Sequence, residues 1–271
     1  MIELFMTIFD KTICVHAENQ SMIEDIIHTF AFFIHEKDQS PIDIYISIEE
    51  STNDDYRIIY DGKLSACAKV NVYPKMCDII RRSLILKTNL FCFHAAAVER
   101  DGKAYVFIST GNSGKSTLCT ALLFSGYKLL TDDTCWIDSL TGTIHPYPLA
   151  IGTRHKTLDL LPTLRDMAIE TAFPGKLILP VQDAWVAQPS KSFAYFLWEL
   201  DFSRSDFQVV KTEKKELAFN LLSHSFSYKY CPNKTATFDH LLNTMKDCHC
   251  YQLRGNNLSV LPQLLETIAN G

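Results

Sequence analysis

Ser109-Thr110-Gly111-Asn112-Ser113-Gly114-Lys115-Ser116-Thr117 stands between the apolar run Lys103–Ile108 and a segment of helical pattern, about 115 to 125, that stops at Gly126. A strand running straight into a glycine- and serine-containing loop and then a helix is the setting of a phosphate-binding loop. Such a loop needs small residues, so that backbone N–H groups can wrap a polyphosphate, and a helix N-terminus whose partial positive charge faces it. It also needs a lysine to reach the β/γ oxygens and a hydroxyl for Mg2+. Gly111, Gly114, Lys115 and Ser116 fill those roles, and Asn112, Ser113 and Thr117 complete the stretch expected to contact a nucleotide. The pattern G-x-x-x-x-G-K-[ST] fails at its first position, where Ser109 replaces glycine.

The next strand-like run, Tyr127–Leu130, ends at Thr131-Asp132-Asp133, so the two carboxylates follow Lys115 by 17 and 18 residues. In an open α/β sheet the loops at the carboxyl ends of neighbouring strands converge on one crevice, which brings phosphate loop and carboxylates together. Adjacent carboxylates divide naturally between two tasks: one holds Mg2+, directly or through water, and the other takes a proton from an incoming hydroxyl. The bland alternative is an acidic turn between strands. Upstream, Phe93-His94-Ala95-Ala96-Ala97 lies in a strand-like run over Phe91–Glu99, which the hairpin dipeptide Asp101-Gly102 joins to Lys103–Ile108. A histidine in such a strand is commonly a satisfied core residue; its place ahead of the loop gives His94 a functional reading as well.

Further along, Cys135–Asp138 and Thr143–His145 flank the turn Ser139-Leu140-Thr141-Gly142, and Pro146, Pro148, Pro162 and Pro174 mark a long irregular connection. Phe193–Leu200 is a buried-strand candidate. Helical segments near 213–223, 235–246 and 261–269 and a strand near 249–253 complete an α/β domain over 91–271. Residues 1–90 read as a small α+β unit. There, Ser21-Met22-Ile23-Glu24 has capping-box spacing, and Ile23, Ile26, Ile27, Phe30 and Ile34 recur at helical intervals, which predicts a helix over 22–35. Pro41–Glu50 alternates apolar and polar, Tyr56–Tyr60 and Leu64–Val70 flank the turn dipeptide Asp61-Gly62, and a second helix spans Pro74 to Lys87.

The composition suits an ordinary globular protein: 271 residues, 47% hydrophobic and 21% charged. No apolar run approaches the ~18 to 20 residues that cross a bilayer, and no positive n-region opens the chain, so a cytoplasmic protein is expected. A net charge of −5 argues against a protein that coats nucleic acid or an anionic membrane. The nine cysteines are scattered and mostly lie in apolar segments, as reduced core thiols would. Cys248-His249-Cys250 alone has a metal-like look, yet no second pair of ligands is spaced to complete a tetrahedral zinc site.

The strand bearing His94, the short hairpin, the Gly-Ser-Lys loop, one helix and the strand end at Asp132-Asp133 together resemble the catalytic domain of HPr kinase/phosphorylase and its shorter HPr-kinase-like relatives. The resemblance is specific over Phe93–Asp138 and diffuse over Pro146–Glu199. It implies the P-loop nucleotide-binding fold that this family shares with phosphoenolpyruvate carboxykinase. It also implies a site of His94, Lys115, Ser116, Asp132 and Asp133, with Asp132 as proton acceptor and Asp133 on the metal side beside Ser116. Thr117 stands where the bifunctional enzymes usually have Glu, as it does in the shorter relatives, which counts against phosphorylase activity and against HPr as substrate. The family's arginine in a Pro-Gly-Arg-Asn stretch has its nearest counterpart in Pro189-Ser190-Lys191-Ser192, which makes Lys191 a candidate phosphate contact. Arg154, His155 and Lys156 form a second basic set.

Some short relatives phosphorylate a serine of ribosomally made peptides, lasso-peptide precursors among them, and the length and small N-terminal unit of this chain are similar to theirs. The resemblance thus implies an ATP- and Mg2+-dependent kinase acting on a serine hydroxyl of a peptide or small protein. The alternatives are a kinase for a small alcohol, such as free serine or a sugar, and a nucleotide-binding sensor without transfer. GTP and pyrophosphate stay open as donors beside ATP, and self-association follows only by analogy with relatives that form oligomers.

Overall fold

The computed structural model describes the chain except residues 52–54, 112, 172, 181–183, 202, 205, 231–233 and 271, and the side chains of 156, 160, 229 and 234. The fold is mixed α/β. The chain divides into two compact units, one of Met1–Thr88 with Leu149–Pro180, the other of Asn89–Pro148 with Val181–Gly271. The chain passes from the first unit to the second between Thr88 and Asn89 and returns to the first over Leu149–Pro180.

The first unit opens with β1 (Ile2–Ile8) and β2 (Lys11–Ala17), an antiparallel hairpin that the sequence reading does not contain. Its turn holds Phe9 and Asp10 at φ 50 and 61, a left-handed geometry usually marked by glycine or asparagine. Helix α1 covers only Glu24–Phe30, shorter than the expected 22–35; 3-10 turns at Gln20–Met22 and Ala31–Phe33 flank it, and β3 (Ile34–His35) follows. The capping box is not made either. The Ser21 hydroxyl donates to the Asn19 side chain, 2.7 Å away, and Ile23 occupies the cap position.

Then come β4 (Ile44–Glu50), β5 (Asp55–Tyr60), β6 (Lys63–Ala68) and α2 (Val72–Lys87), with Asp61-Gly62 turning the β5–β6 hairpin as expected. The six strands lie in the order β3-β1-β2-β4-β5-β6, with only β2 and β4 parallel. The strands bury Ile13, Val15, Ile46, Ile48 and Ile58, while Ile26 and Phe30 of α1 and Met76, Ile79, Ile80 and Leu84 of α2 form the helical side of the core.

In the second unit the expected strand Phe91–Glu99 is two: β7 (Leu90–Phe93) and β8 (Ala95–Arg100), broken at His94. The cause is a change of partner. Phe93 pairs with Cys135, Ala95 pairs with Ile108, and the His94 N–H between them donates to the His224 carbonyl at 2.8 Å. After β9 (Lys103–Ile108) come the loop, α3 (Lys115–Leu123), β10 (Lys128–Thr131), β11 (Cys135–Asp138) and β12 (Thr143–His145). Gly126, at φ 85, ends α3 as expected.

The segment in the first unit then contributes β13 (Ile151–Thr153), α4 (His155–Leu160), β14 (Ile169–Glu170) and β15 (Leu177–Leu179), the strands forming a small antiparallel sheet. Back in the second unit follow β16 (Ser190–Leu200), β17 (Gln208–Lys211), α5 (Lys214–Ser223), α6 (Lys234–Thr244), β18 (His249–Gly255) and α7 (Leu261–Asn270).

Strand β16 is the hub of this nine-stranded sheet: β9 runs parallel along one edge, and β12 and β18 share the other. The pairings run in the order β10–β8–β9–β16–β12–β11–β7, so β7 and β8, successive in the chain, lie at separate places in the sheet. One side of the sheet, with Ala95, Ala97, Val106, Ile108 and Tyr195, packs under Leu217 and Leu221 of α5 and Leu241 of α6. Cys248 and Cys250 face this same core, and burial pushes their thiols up to about 12 and about 11.

Candidate active site

Three chain segments meet at one end of the second unit's sheet, and the register explains why. Antiparallel β8 lies between β9 and β10, with Ala95 beside Ile108 and Ala97 beside Thr131. The start of β8 and the ends of β9 and β10 therefore coincide. His94, the 109–114 loop and Asp132-Asp133 converge there, across a strand that runs the other way.

Helix α3 begins at Lys115, capped by Gly114 in the left-handed region at φ 83, and glycine brings no side-chain oxygen to compete for the helix end. Lys115 is 5% exposed, and its Nζ donates to the Ser109 and Thr110 carbonyls, both at 3.1 Å. It also lies 3.1 Å from His94 Nε2. An ammonium has no acceptor to offer, so Nε2 accepts and the His94 proton belongs on Nδ1. That nitrogen faces Asp133, 3.1 Å from Oδ1 and 3.2 Å from the main-chain oxygen. On the other side the Ser116 hydroxyl donates to Asp132 Oδ2 at 3.1 Å.

The two aspartates differ sharply in setting. Asp132 is 4% exposed, whereas the Asp133 side chain is 61% exposed. Burial lowers the Lys115 pKa from its ordinary value, and the Asp133 and Asp132 charges oppose that shift. The Cys119 thiol, buried beneath the site, is pushed well up by burial and then by Asp132.

Oxygen donors from Ser116, Asp132 and Asp133 suit a hard divalent cation. Mg2+ is commonly held by one or two carboxylates, with water and substrate phosphates completing its octahedron. No group of three or more His, Cys, Asp or Glu able to hold a metal occurs among the described residues. A buried lysine, a helix N-terminus and small loop residues likewise fit the phosphates of a nucleotide.

Of the residues singled out in the sequence, His94, Lys115, Ser116, Asp132 and Asp133 come together, with Gly111, Ser113, Gly114 and Thr117 in the loop and first helical turn; Asn112 lies outside the described residues. Lys191 does not join them. It pairs with Lys103 at the opposite end of β9 from the loop, because β16 runs parallel to β9 and Lys191 stands near its start. Arg154 is exposed just before α4, in the first unit.

Sequence reasoning missed three contributors. The stretch after α5 docks on β7: Phe226 N–H donates to the Cys92 carbonyl at 3.0 Å, and the Phe226 ring meets the His94 ring edge-on at 5.9 Å. His224 lies in this stretch, its pKa lowered first by burial and then by its neighbours, the Lys115 ammonium among them. Nothing local in Ser223-His224-Ser225-Phe226-Ser227 announces that role. Ser109 is the second contributor: its hydroxyl pairs with that of Ser113, so the departure from glycine braces the loop across its ends. Trp198, the third, belongs to the apolar run that the sequence reading takes simply as a buried strand.

No family profile matches the chain, and no curated protein matches it. Among solved structures it is similar to the Hpr(Ser) kinase/phosphatase from Coxiella burnetii, at 15% identity and a TM-score of 0.31, over 66% of this chain and 93% of that one, a distant likeness in fold too slight to bear on activity.

Proposed function

We propose that the protein is an ATP- and Mg2+-dependent kinase that transfers the γ-phosphoryl group to an alcohol, a serine hydroxyl of a peptide or small protein. The observation that carries this reading is the buried Lys115 at the start of α3, 3.1 Å from His94, beside two carboxylates of unequal exposure. A pure phosphate binder has no use for a water-exposed carboxylate held beside its lysine; a transferase needs one to receive a proton.

In this reading the loop N–H groups and Lys115 hold the β/γ oxygens, and Ser116 supplies a hydroxyl to the cation. Mg2+, when bound, would neutralise charge developing on the transferred group. The contacts favour exchanging the roles that the family resemblance implies for the aspartates. Asp132, buried and bonded to Ser116, suits the cation side. Asp133, exposed and steadied by His94 Nδ1–H, suits acceptance of the serine proton. His94 thereby couples the lysine to the base. The rate enhancement comes from positioning and from charges fixed before the reaction. The compact unit that bears this chemistry is Asn89–Pro148 with Val181–Gly271, and a cytoplasmic location goes with it, where ATP and reduced thiols are found.

The test is transfer of labelled γ-phosphate from ATP to a panel of serine-containing peptides, free serine and sugars. Phosphoserine on a peptide, lost in Lys115→Ala, is the expected result. Transfer to a small alcohol alone would move the acceptor class. A wild-type rate in Lys115→Ala would remove the site assignment.

A further inference from the structure

We propose that Trp198 is a positioning residue of the phosphate loop: its indole N–H fixes the Ser113 carbonyl and so turns the Gly114 N–H to meet a bound phosphate. The inference rests on the phosphate-binding reading above and adds to it a residue outside the loop.

Strand β16 runs parallel to β9 with Leu197 beside Ile108, so Trp198 stands level with the start of the loop. Its side chain is 3% exposed, and a buried indole must find an acceptor for its single N–H. The acceptor is the Ser113 carbonyl, at 2.8 Å. A trans peptide is planar, and its C=O and N–H point opposite ways. Holding the Ser113 oxygen toward β16 therefore directs the Gly114 N–H away from it. A flip of this peptide would strand the indole N–H and present a carbonyl oxygen where a phosphate needs a donor.

Other contacts lock the same peptide. Gly114 is left-handed at φ 83, and a Cβ there would lie 3.3 Å from Leu200 Cδ2 and 4.0 Å from Trp198 Nε1, so the end of β16 closes directly on it. The Ser109 hydroxyl holds that of Ser113. Phe207 packs on the indole with ring centroids 6.0 Å apart, restraining the ring itself.

The experiment compares Mg-ATP and pyrophosphate binding by calorimetry, and steady-state kinetics, in wild type and Trp198→Phe, which keeps an aromatic ring and loses the donor. The expected result is a rise of about 5- to 20-fold in Kd and in KM for ATP, with kcat little changed, because the contact serves ground and transition state alike. A merely structural role would lower the melting temperature and leave KM where it was. Should Trp198→Phe not fold, 3-benzothienylalanine at position 198 keeps the bicyclic shape and replaces only the N–H by sulfur. A folded variant that binds both probes as tightly as wild type overturns the proposal while the nucleotide reading stands. Wild-type protein that binds neither probe overturns the reading, and the inference with it.

Discussion

The interiors of the two units are built on different terms. Among the described residues the first unit buries aliphatic and aromatic side chains and a few hydroxyls, but no charged group. The second buries two, Lys115 and Asp132, both at the end of the sheet where the loop lies. Desolvating a charge costs several kcal/mol unless partners offset it, so stability alone would not select such residues. The contrast sets a core made to fold against a core proposed to hold a site as well.

The largest effect belongs to Lys115. Lys115→Met should lower phosphoryl transfer by about 10^3-fold or more while the melting temperature stays or rises, since the lost ammonium was held at a net desolvation cost. An unfolded variant would erase the contrast. Ile13→Ala, at a fully buried position of the first unit, should do the reverse, costing about 2–5 kcal/mol of stability in denaturant titration and sparing turnover per folded molecule.

Between the aspartates the split is finer. Asp133→Asn should lower kcat by about 10^2- to 10^3-fold with little change in the Mg2+ concentration required, and Asp132→Asn should raise that requirement. The opposite pattern would return the roles to the order that the family resemblance implies.

The smallest effect is in pH. The folded state holds the Lys115 proton less tightly than the unfolded chain, so this group's unfavourable contribution fades as pH rises from its lowered pKa toward the ordinary 10.5. Any stability advantage of Lys115→Met over wild type should narrow across that span, and wild-type affinity for ATP, which needs the ammonium, should fall with it. A gap that widened with pH would contradict the burial of a charged lysine.

Why some of this was legible in the sequence follows from the range of the interactions. Strand, loop and α3 are consecutive, and their signals, the apolar run before Ser109, the Gly-Lys-Ser-Thr join and Gly126, are local. Asp132 and Asp133 could be placed because one short helix and one strand separate them from Lys115. The hairpin at Phe9-Asp10 escaped because its left-handed turn carries neither glycine nor asparagine. The break at His94, the antiparallel β8 between β9 and β10, and the docking of Phe226 and Trp198 depend on pairings far apart in the chain. Local pattern does not encode them. The same limit explains Lys191: the family resemblance suggests a phosphate contact, while the parallel register puts it at the end of β9 away from the loop.

The central claim is that the second unit's buried lysine exists to hold nucleotide phosphates. Titrating Mg-ATP into wild type and Lys115→Met by calorimetry tests it most directly. The account predicts stoichiometric binding to wild type and a Kd raised by about 100-fold or more in the variant, with both proteins folded. Equal binding by the two, or none by wild type, would contradict it.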